Sequence, residues 1–236
     1  MPARKLRLAL TALAVVLGVA FISGTFILTD TLRSSFDQLF SGAESGAELQ
    51  LAGAQGDDQL GPPARVSPAL VDEIAAVEGV ASVSPTIEGS AQLLDTAGEP
   101  VGGEGPPTLG LAVPRDEALS DLQLAAGRWP EQAGEIAVDA PTAEQAGFKV
   151  GDTVGYVADG PARQAEIVGL TTFGELDDLS SQLTFTTFDA EMALDVLSTD
   201  GNWSAVDVGL VDGAERAAVT ERLTALAGDS YEVLTA

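Results

Sequence analysis

The chain has 236 residues, of which 45% are apolar, a composition typical of a folded protein rather than a disordered one. Eleven lysines and arginines stand against 36 aspartates and glutamates, giving a formal net charge of -25, which argues against nucleic acid as a partner and against peripheral binding to anionic lipid. Because there is no Cys and no His, the sequence excludes disulfides, thiolate nucleophiles, imidazole bases and the commonest zinc ligands.

The N-terminal segment predicts a transmembrane helix. Residues 8–29 contain no charged side chain, and 22 residues at about 1.5 Å each span a hydrocarbon core of about 30 Å. A cleaved signal peptide is the alternative, but the apolar stretch exceeds the usual length and no clean Ala-x-Ala site closes it. Since Arg4, Lys5 and Arg7 precede the helix, the positive-inside rule predicts a cytoplasmic N-terminus and an extracytoplasmic chain beyond about residue 30 of a cell-membrane protein.

The apolar pattern continues past the predicted membrane surface at helical spacing, which predicts a stalk that reaches residue 40. One helix over residues 8–40 would be about 50 Å long, more than the bilayer thickness, and would carry motion of the membrane part rigidly outward. An amphipathic linker lying on the ectodomain is the alternative. The residues predicted to transmit motion are Leu28, Leu32, Phe36 and Phe40.

The ectodomain is predicted to begin with a strand, a helix and further strands. Residues 48–52 favour a strand. Ser67 is a favourable N-cap, Pro68 suits the first helical position, and Gly79 is predicted to stop the helix. Residues 80–94 then predict one or two strands.

Near the C-terminus the same order returns. A strand over residues 205–211 precedes a helix that Gly228 ends and a final alternating strand. Each of the two segments is predicted to be a βαβ-like unit, and we predict that the two units build one α/β lobe. The alternative is that the two segments are alike by chance, because both contain an ordinary amphipathic helix.

Between these halves, residues 105–182 have a β-rich pattern. Asp159-Gly160-Pro161 predicts a hairpin turn, and the residues from Phe185 onward predict a helix with Asp189 as its N-cap. The strands predicted in this region cover residues 109–113, 135–138, 153–158 and 165–170.

The predicted fold class is therefore α+β, with an N-terminal transmembrane helix and helical stalk, a split α/β lobe of two βαβ-like halves and an inserted β-rich subdomain. The predicted segments are the membrane helix and stalk (1–40), the first half of the lobe (41–104), the insertion (105–182) and the second half of the lobe (183–236).

The most distinctive stretch is GRWPEQAGEIAVDAPTAEQAGFKVGDTV, residues 127–154. Its Gly-Arg-Trp-Pro start predicts a turn in which Trp129 plugs the core. Thr142 is predicted to cap a short helix over residues 143–146, with Gln145 reaching back. Phe148 and Val150 are predicted to be buried after that helix.

Nothing in this stretch combines a nucleophile with a base or assembles metal ligands, so we expect no catalytic, cofactor-binding or metal-binding residue in it. Gly151 and Asp152 predict a turn into the next strand. Arg128 is expected to pair with a nearby carboxylate.

The stretch resembles the G-R-x-P, E-I/V-V, V-G-D-T-V and V-V-G series of the MacB-like extracytoplasmic domain in FtsX-like permease subunits of ABC transporters. Residues 165–169 supply the closing strand, with Ile167 where the pattern has its first Val, and residues 7–32 resemble the first membrane helix of actinobacterial members. The pattern falls on seven residues that we expect to be structural: Gly127, Arg128, Pro130, Glu135, Gly151, Asp152 and Gly169.

This resemblance implies a permease that couples ATP-driven motion to export or mechanotransmission. Because the chain has no P-loop, it implies a separate cytoplasmic ABC ATPase subunit, together with a second permease copy or paralogue, membrane lipid, and an extracytoplasmic accessory protein or substrate. Family members continue into three further membrane helices, so we expect this sequence to be a fragment of a longer permease. A membrane-anchored surface hydrolase that uses two carboxylates and a passive anchored binding module are the alternatives.

Overall fold

The computed structural model describes residues 46–54, 63–101, 108–173 and 184–235. The predicted transmembrane helix, the stalk and its four apolar residues lie outside these ranges. No helix within the described ranges is both long and apolar enough to cross a membrane. The described residues belong to one compact unit, Glu44–Ala236, and form a mixed α+β fold, as predicted.

A four-stranded antiparallel sheet is built from the two ends of this unit. Its strands are β1 (Leu49–Gly53), β2 (Val80–Thr86), β11 (Ala205–Leu210) and β12 (Tyr231–Leu234), in the order β12-β1-β11-β2.

Each predicted βαβ-like half is present in this sheet, and the two interlock. Helix α1 (Pro68–Ala75) connects β1 to β2, with β11 inserted between them, while helix α4 (Arg216–Ala227) connects β11 to β12, with β1 inserted between them. This is the split βαβ arrangement of ferredoxin-like folds.

One face of the sheet is apolar because alternate residues of β1 and β11 point to it. Leu49, Leu51, Val206 and Val208 are fully buried, and they join one continuous core with buried side chains of α1 and α4. The opposite, open face of the sheet carries polar residues at the intervening positions. Gln50 and Asp207 are paired there in register.

Two predicted boundaries in the first half are wrong. The helix begins as predicted, since Ser67 Oγ accepts the Leu70 N–H at 3.2 Å, but it ends at Ala75 rather than at Gly79. The Ala76 N–H already bonds to the Glu73 carbonyl, so the last turn tightens, and Gly79 serves the following turn with φ of +100°. The region predicted as one or two strands forms three: β2, β3 (Glu88–Ser90) and β4 (Gln92–Leu94).

The second sheet has eight strands and curls on itself. Its ends, β3 and β4, are separated in the chain only by Ala91, whose N–H donates to the Thr108 carbonyl at 3.2 Å. The strand order is β3-β5-β10-β7-β9-β8-β4, and β6 pairs with the far end of β9. The remaining strands are β5 (Thr108–Ala112), β6 (Leu122–Gly127), β7 (Glu135–Asp139), β8 (Thr153–Val157), β9 (Arg163–Phe173) and β10 (Thr184–Phe188).

Helices α2 (Ala140–Ala146) and α3 (Ala190–Leu197) pack against this sheet. The buried Tyr156 and Phe188 rings meet at a centroid distance of 5.3 Å in the same core. Asp189 caps α3, as predicted, by accepting the N–H groups of Glu191 and Met192.

Several predictions for this region are corrected. Residues 184–188 form the strand β10 instead of starting the helix, because alternating Thr and Phe suit a strand held between β5 and β7. Strand β6 had no sequence prediction. Phe148 is buried, but Val150 is 46% exposed. Three strands of this sheet, β3, β4 and β10, lie outside residues 105–182, the range predicted for the β-rich insertion. The bounds of the predicted segments stay a prediction.

Candidate functional site

Gly127 and Arg128 of the Gly-Arg-Trp-Pro turn contact β9 directly. Gly127 lies opposite Gly169 where β6 pairs with β9, and Gly127 has φ of +77°. A Cβ at Gly127 would lie 2.3 Å from the Val168 carbonyl oxygen, and a Cβ at Gly169 would lie 2.3 Å from the Arg128 carbonyl oxygen. The two backbones are therefore so close that only glycine fits on either strand.

A β-bulge explains this close approach. Strand β7 pairs with Ile167 and then with Gly169, so Val168 is the extra residue of β9. The Arg128 N–H donates to the freed Val168 carbonyl at 3.0 Å. The turn after β6 thus satisfies a backbone group that the bulge removes from the ladder.

Arg128 and Glu135 close the turn with a bidentate ion pair. Arg128 Nη1 lies 2.7 Å from Glu135 Oε2, and Nη2 lies 2.6 Å from Oε1. Glu135 also accepts the Glu131 N–H at 3.1 Å and the Gln132 Nε2 at 2.8 Å. The hydrogen-bonded Arg128 guanidinium, followed by the Glu131 N–H, lowers the pKa of Glu135 to about 2. The expectation that Arg128 pairs with a carboxylate agrees with this geometry.

Gly151 and Asp152 hold β9 on its other flank. The Gly151 N–H donates to the Ile167 carbonyl at 2.7 Å, and the Ile167 N–H donates to the Asp152 carbonyl at 2.9 Å. Asp152 Oδ2 accepts the Lys149 N–H at 2.8 Å and closes the turn, in which Gly151 has φ of +96°. Six of the seven pattern residues therefore form one clasp around residues 166–169 of β9, and the seventh, Pro130, is buried in the turn.

The helix that follows β7 is capped by a different residue from the one predicted. Thr142 lies inside α2, and Asp139 is the N-cap. Asp139 Oδ2 accepts the Thr142 N–H at 2.8 Å, while Oδ1 accepts the Phe185 N–H of β10 at 2.7 Å. Burial raises the pKa of this carboxyl, and the two backbone donors oppose the rise. The sequence signal for Asp139 was the Pro141 that follows it, because Pro is favoured in the first helical turn.

Trp129 does not plug the core. Its ring is half-buried, and Nε1 donates to Glu117 Oε1 at 2.7 Å. Glu117 belongs to residues 113–121, which connect β5 to β6 and which we name the strap.

The strap lies on the open face of the four-stranded sheet. The Arg115 N–H donates to Ser84 Oγ of β2 at 3.1 Å. Leu119 is buried, and a Cβ at Gly209 of β11 would approach its Cδ2 to 2.9 Å. Because the strap leaves the eight-stranded sheet and returns to it, it ties the two sheets together. No sequence pattern predicted it.

The strap also contacts the segment that enters β1. A Cβ at Gly46 would lie only 2.0 Å from the Ala118 carbonyl oxygen, so the two backbones are in direct contact. Two residues later, Glu48 Oε2 accepts the Leu210 N–H of β11 at 2.6 Å. In the sequence, this segment directly follows the region after the predicted stalk.

Within the described ranges, no group of three or more Asp, Glu, His or Cys side chains could hold a metal ion. The charged groups of the clasp are engaged with one another and with backbone N–H groups. The clasp joins β6, β7 and β9 within the eight-stranded sheet, and the strap connects that sheet to the four-stranded one.

Comparison with known proteins gives a family and a fold. The family described as MacB-like periplasmic core domain matches residues 8–226. No curated protein matches the sequence.

Two solved structures have a similar fold. The periplasmic region of MacB from Actinobacillus actinomycetemcomitans has a TM-score of 0.57 and 13% identity, over 80% of this chain and 90% of that one. The extracellular domain of the noncanonic ABC-type transporter YknZ from Gram-positive bacteria has a TM-score of 0.55 and 15% identity, over 79% of this chain and 99% of that one. At these identities the likeness shows the fold alone.

Proposed function

The chain belongs to the family of MacB-like periplasmic core domains, and from this membership we propose that it couples ATP-driven motion to export or mechanotransmission outside the membrane. It does so as the extracytoplasmic domain and first membrane helix of an ABC transporter permease. The observation that carries the proposal is the length of the family match, which runs from residue 8 to residue 226. That range includes the predicted membrane helix, the predicted stalk and every described strand except β12. The actinobacterial subtype stays a prediction.

The strap supports a role in transmitting motion. It contacts Gly46 on the segment that enters β1, Gly209 on the four-stranded sheet and Trp129 next to the clasp. A displacement of the chain before β1 would therefore act on both sheets. Close-packed contacts of this kind transmit displacement because protein interiors have low compressibility.

The proposed partners follow from what this chain lacks and from its family. The sequence has no P-loop, so a cytoplasmic ABC ATPase subunit supplies the energy, and a second permease copy or paralogue completes the membrane part. Membrane lipid surrounds residues 8–29, with the N-terminus in the cytoplasm and the acidic domain outside. An extracytoplasmic accessory protein or substrate binds the outer domain.

The role of the stalk is tested in the full-length permease assembled with its ATPase. Leu32→Pro and Phe36→Pro would break the predicted helix at these positions and should abolish transport while ATP binding is retained. Leu32→Ala and Phe36→Ala are the matched controls, because alanine is compatible with the predicted helix and removes only the side chain. Normal transport by the proline variants would refute transmission through the stalk.

The partner is tested separately by co-purifying the full-length permease with an ABC ATPase subunit from the same organism. Stable co-purification and stimulation of ATP hydrolysis are the expected results. An ATPase that neither binds the permease nor responds to it would overturn the proposed assignment.

A further inference from the structure

Asp207 lies under the end of the strap on the open face of the four-stranded sheet. Its register partners are Gln50 on β1, whose Nε2 donates to Asp207 Oδ1 at 2.7 Å, and Ser84 on β2. Ser84 is the residue that holds the strap through the Arg115 N–H. Gly209, the next residue on the same face of β11, is covered by Leu119. Asp121 follows Leu119 by two residues on the strap, and its charge acts on Asp207.

The charged groups around Asp207 come from the segment that enters β1, the strap, β3 and β12. Several have other partners or remain in solvent: Glu48 accepts the Leu210 N–H, Asp116 accepts the Ala118 N–H, and Arg115, Glu117 and Glu232 are exposed. Strand β2 carries no charged residue. The two charges that act on Asp207 are the carboxylates of Asp121 on the strap and Glu88 on β3, and both are repulsive.

We propose that Asp207 and Asp121 form a proton-controlled latch between the strap and the four-stranded sheet. With Asp207 protonated, the strap lies tightly on the sheet, and with both carboxyls ionised their repulsion loosens it. The latch joins the two sheets, because the strap begins and ends in the eight-stranded sheet. This inference does not depend on the proposed transport function.

The electrostatic environment agrees with this geometry. Burial, aided by the charges of Asp121 and Glu88, raises the pKa of Asp207 to about 6, and the Gln50 hydrogen bond only partly opposes the rise. Burial also raises the pKa of Asp121. A carboxyl whose pKa is raised when the strap is docked favours the docked state at low pH, and this advantage is lost as the pH rises through about 6.

The latch is tested by thiol labelling, because the sequence has no cysteine. Leu119→Cys places a thiol at a buried strap position, and Ala118→Cys places one at the adjacent exposed position. The full chain is purified in detergent and labelled with a methanethiosulfonate reagent across a pH series. The ratio of the two labelling rates at each pH cancels the common dependence on thiolate concentration.

We expect the ratio of buried to exposed labelling to rise about tenfold between about pH 5 and about pH 8. Asp207→Asn should abolish the rise and keep the Gln50 hydrogen bond, while Asp212→Asn, which changes an exposed carboxyl just after β11, should leave the rise intact. A ratio that does not change with pH, or a rise that persists in Asp207→Asn, would overturn the proposal.

Hydrogen exchange provides a second measurement that needs no cysteine. Protection factors of the strap amides, corrected for the intrinsic pH dependence of exchange, should fall from low to high pH in the unmodified chain and stay constant in Asp207→Asn. Equal protection of the strap at both ends of the pH range would contradict the latch even if the Leu119→Cys chain failed to fold.

Discussion

Arg128 and Glu135 are joined by two parallel hydrogen bonds of 2.7 and 2.6 Å, and Glu135 accepts two further bonds from residues of the intervening turn. The Glu135 side chain is 9% exposed and that of Arg128 is 49% exposed. The carboxylate is therefore the centre of the turn, and the guanidinium covers it from the solvent side. This geometry is specific to arginine, because a lysine ammonium cannot bind both carboxylate oxygens in a planar fork.

Arg128→Lys is expected to lower the midpoint of urea unfolding, because one of the two charge-assisted bonds is lost. Arg163→Lys is the matched control. Arg163 pairs with Asp195 at 2.8 Å, but the Asp195 side chain is 65% exposed whereas that of Glu135 is 9% exposed, so replacing Arg163 should have little effect. Equal effects of the two substitutions would show that the clasp gains nothing from the bidentate pair.

The pH dependence of stability gives a separate prediction for Glu135. Its pKa is lowered from 4.5 to about 2, so the folded state favours the ionised form, and this stabilisation is present above about pH 4.5 and lost as the pH falls through about 2. Glu135→Gln should therefore be less stable than the unmodified chain near neutral pH, and the difference should shrink with acidification. Urea unfolding of both chains between about pH 6 and about pH 2 measures it. A difference that is constant over this range would contradict the assignment.

The close approach of β9 to the turn predicts the effect of Gly169→Ala. The added methyl would lie 2.3 Å from the Arg128 carbonyl oxygen and 3.0 Å from Leu124 Cδ1, so the backbone must shift. The expected loss in the free energy of unfolding is about 2 kcal/mol or more. Gly155→Ala is a matched strand control, because its methyl would meet only the Leu94 side chain, at 3.2 Å. An equal or smaller loss in Gly169→Ala would show that the clasp tolerates separation from β9.

The local sequence predicted those parts of the fold that depend on local chemistry. Ser67 caps α1 and Asp189 caps α3, because both lie immediately before an amphipathic helix. The hairpin at Gly160 between β8 and β9 was also predicted, since Asp-Gly-Pro is typical of a turn. The sequence also predicted that Arg128 pairs with a carboxylate, but only the structure identifies Glu135 as that carboxylate.

The features that the sequence did not predict depend on contacts between residues that are distant in the sequence. The Phe185 N–H of β10 lies 46 positions from Asp139, so the second hydrogen bond that fixes this cap cannot be predicted from the local sequence. Strand β10 was predicted as the start of a helix because its neighbours in space, β5 and β7, cannot be read from its own residues. The strap has no periodicity, and its position is set by Ser84 and Gly209, which lie on different strands of another sheet.

Asp139→Ala tests the cap that links β7, α2 and β10. The substitution leaves the Thr142 and Phe185 N–H groups without their acceptor in a buried environment. We expect a loss of about 2–4 kcal/mol in the free energy of unfolding, which urea denaturation measures. Ser67→Ala removes a partly buried cap with a single bond and should cost only about 1 kcal/mol. If both substitutions cost the same, the bond to Phe185 contributes nothing.

Trp129→Phe tests the connection between the clasp and the strap. Phenylalanine keeps an aromatic ring but removes the Nε1–H that donates to Glu117 at 2.7 Å. Because this bond is exposed, we expect a loss of only about 0.5–1 kcal/mol in global stability, together with faster hydrogen exchange confined to the strap. A double-mutant cycle with Glu117→Ala should give a coupling energy of about 0.5–1 kcal/mol.

Trp203→Phe is the matched control. Trp203 is buried and its backbone pairs with Val66, so its replacement should lower stability without a selective effect on the strap. Exchange that rises equally in all elements of Trp129→Phe, or a coupling energy of zero, would show that the strap is held by the sheet alone.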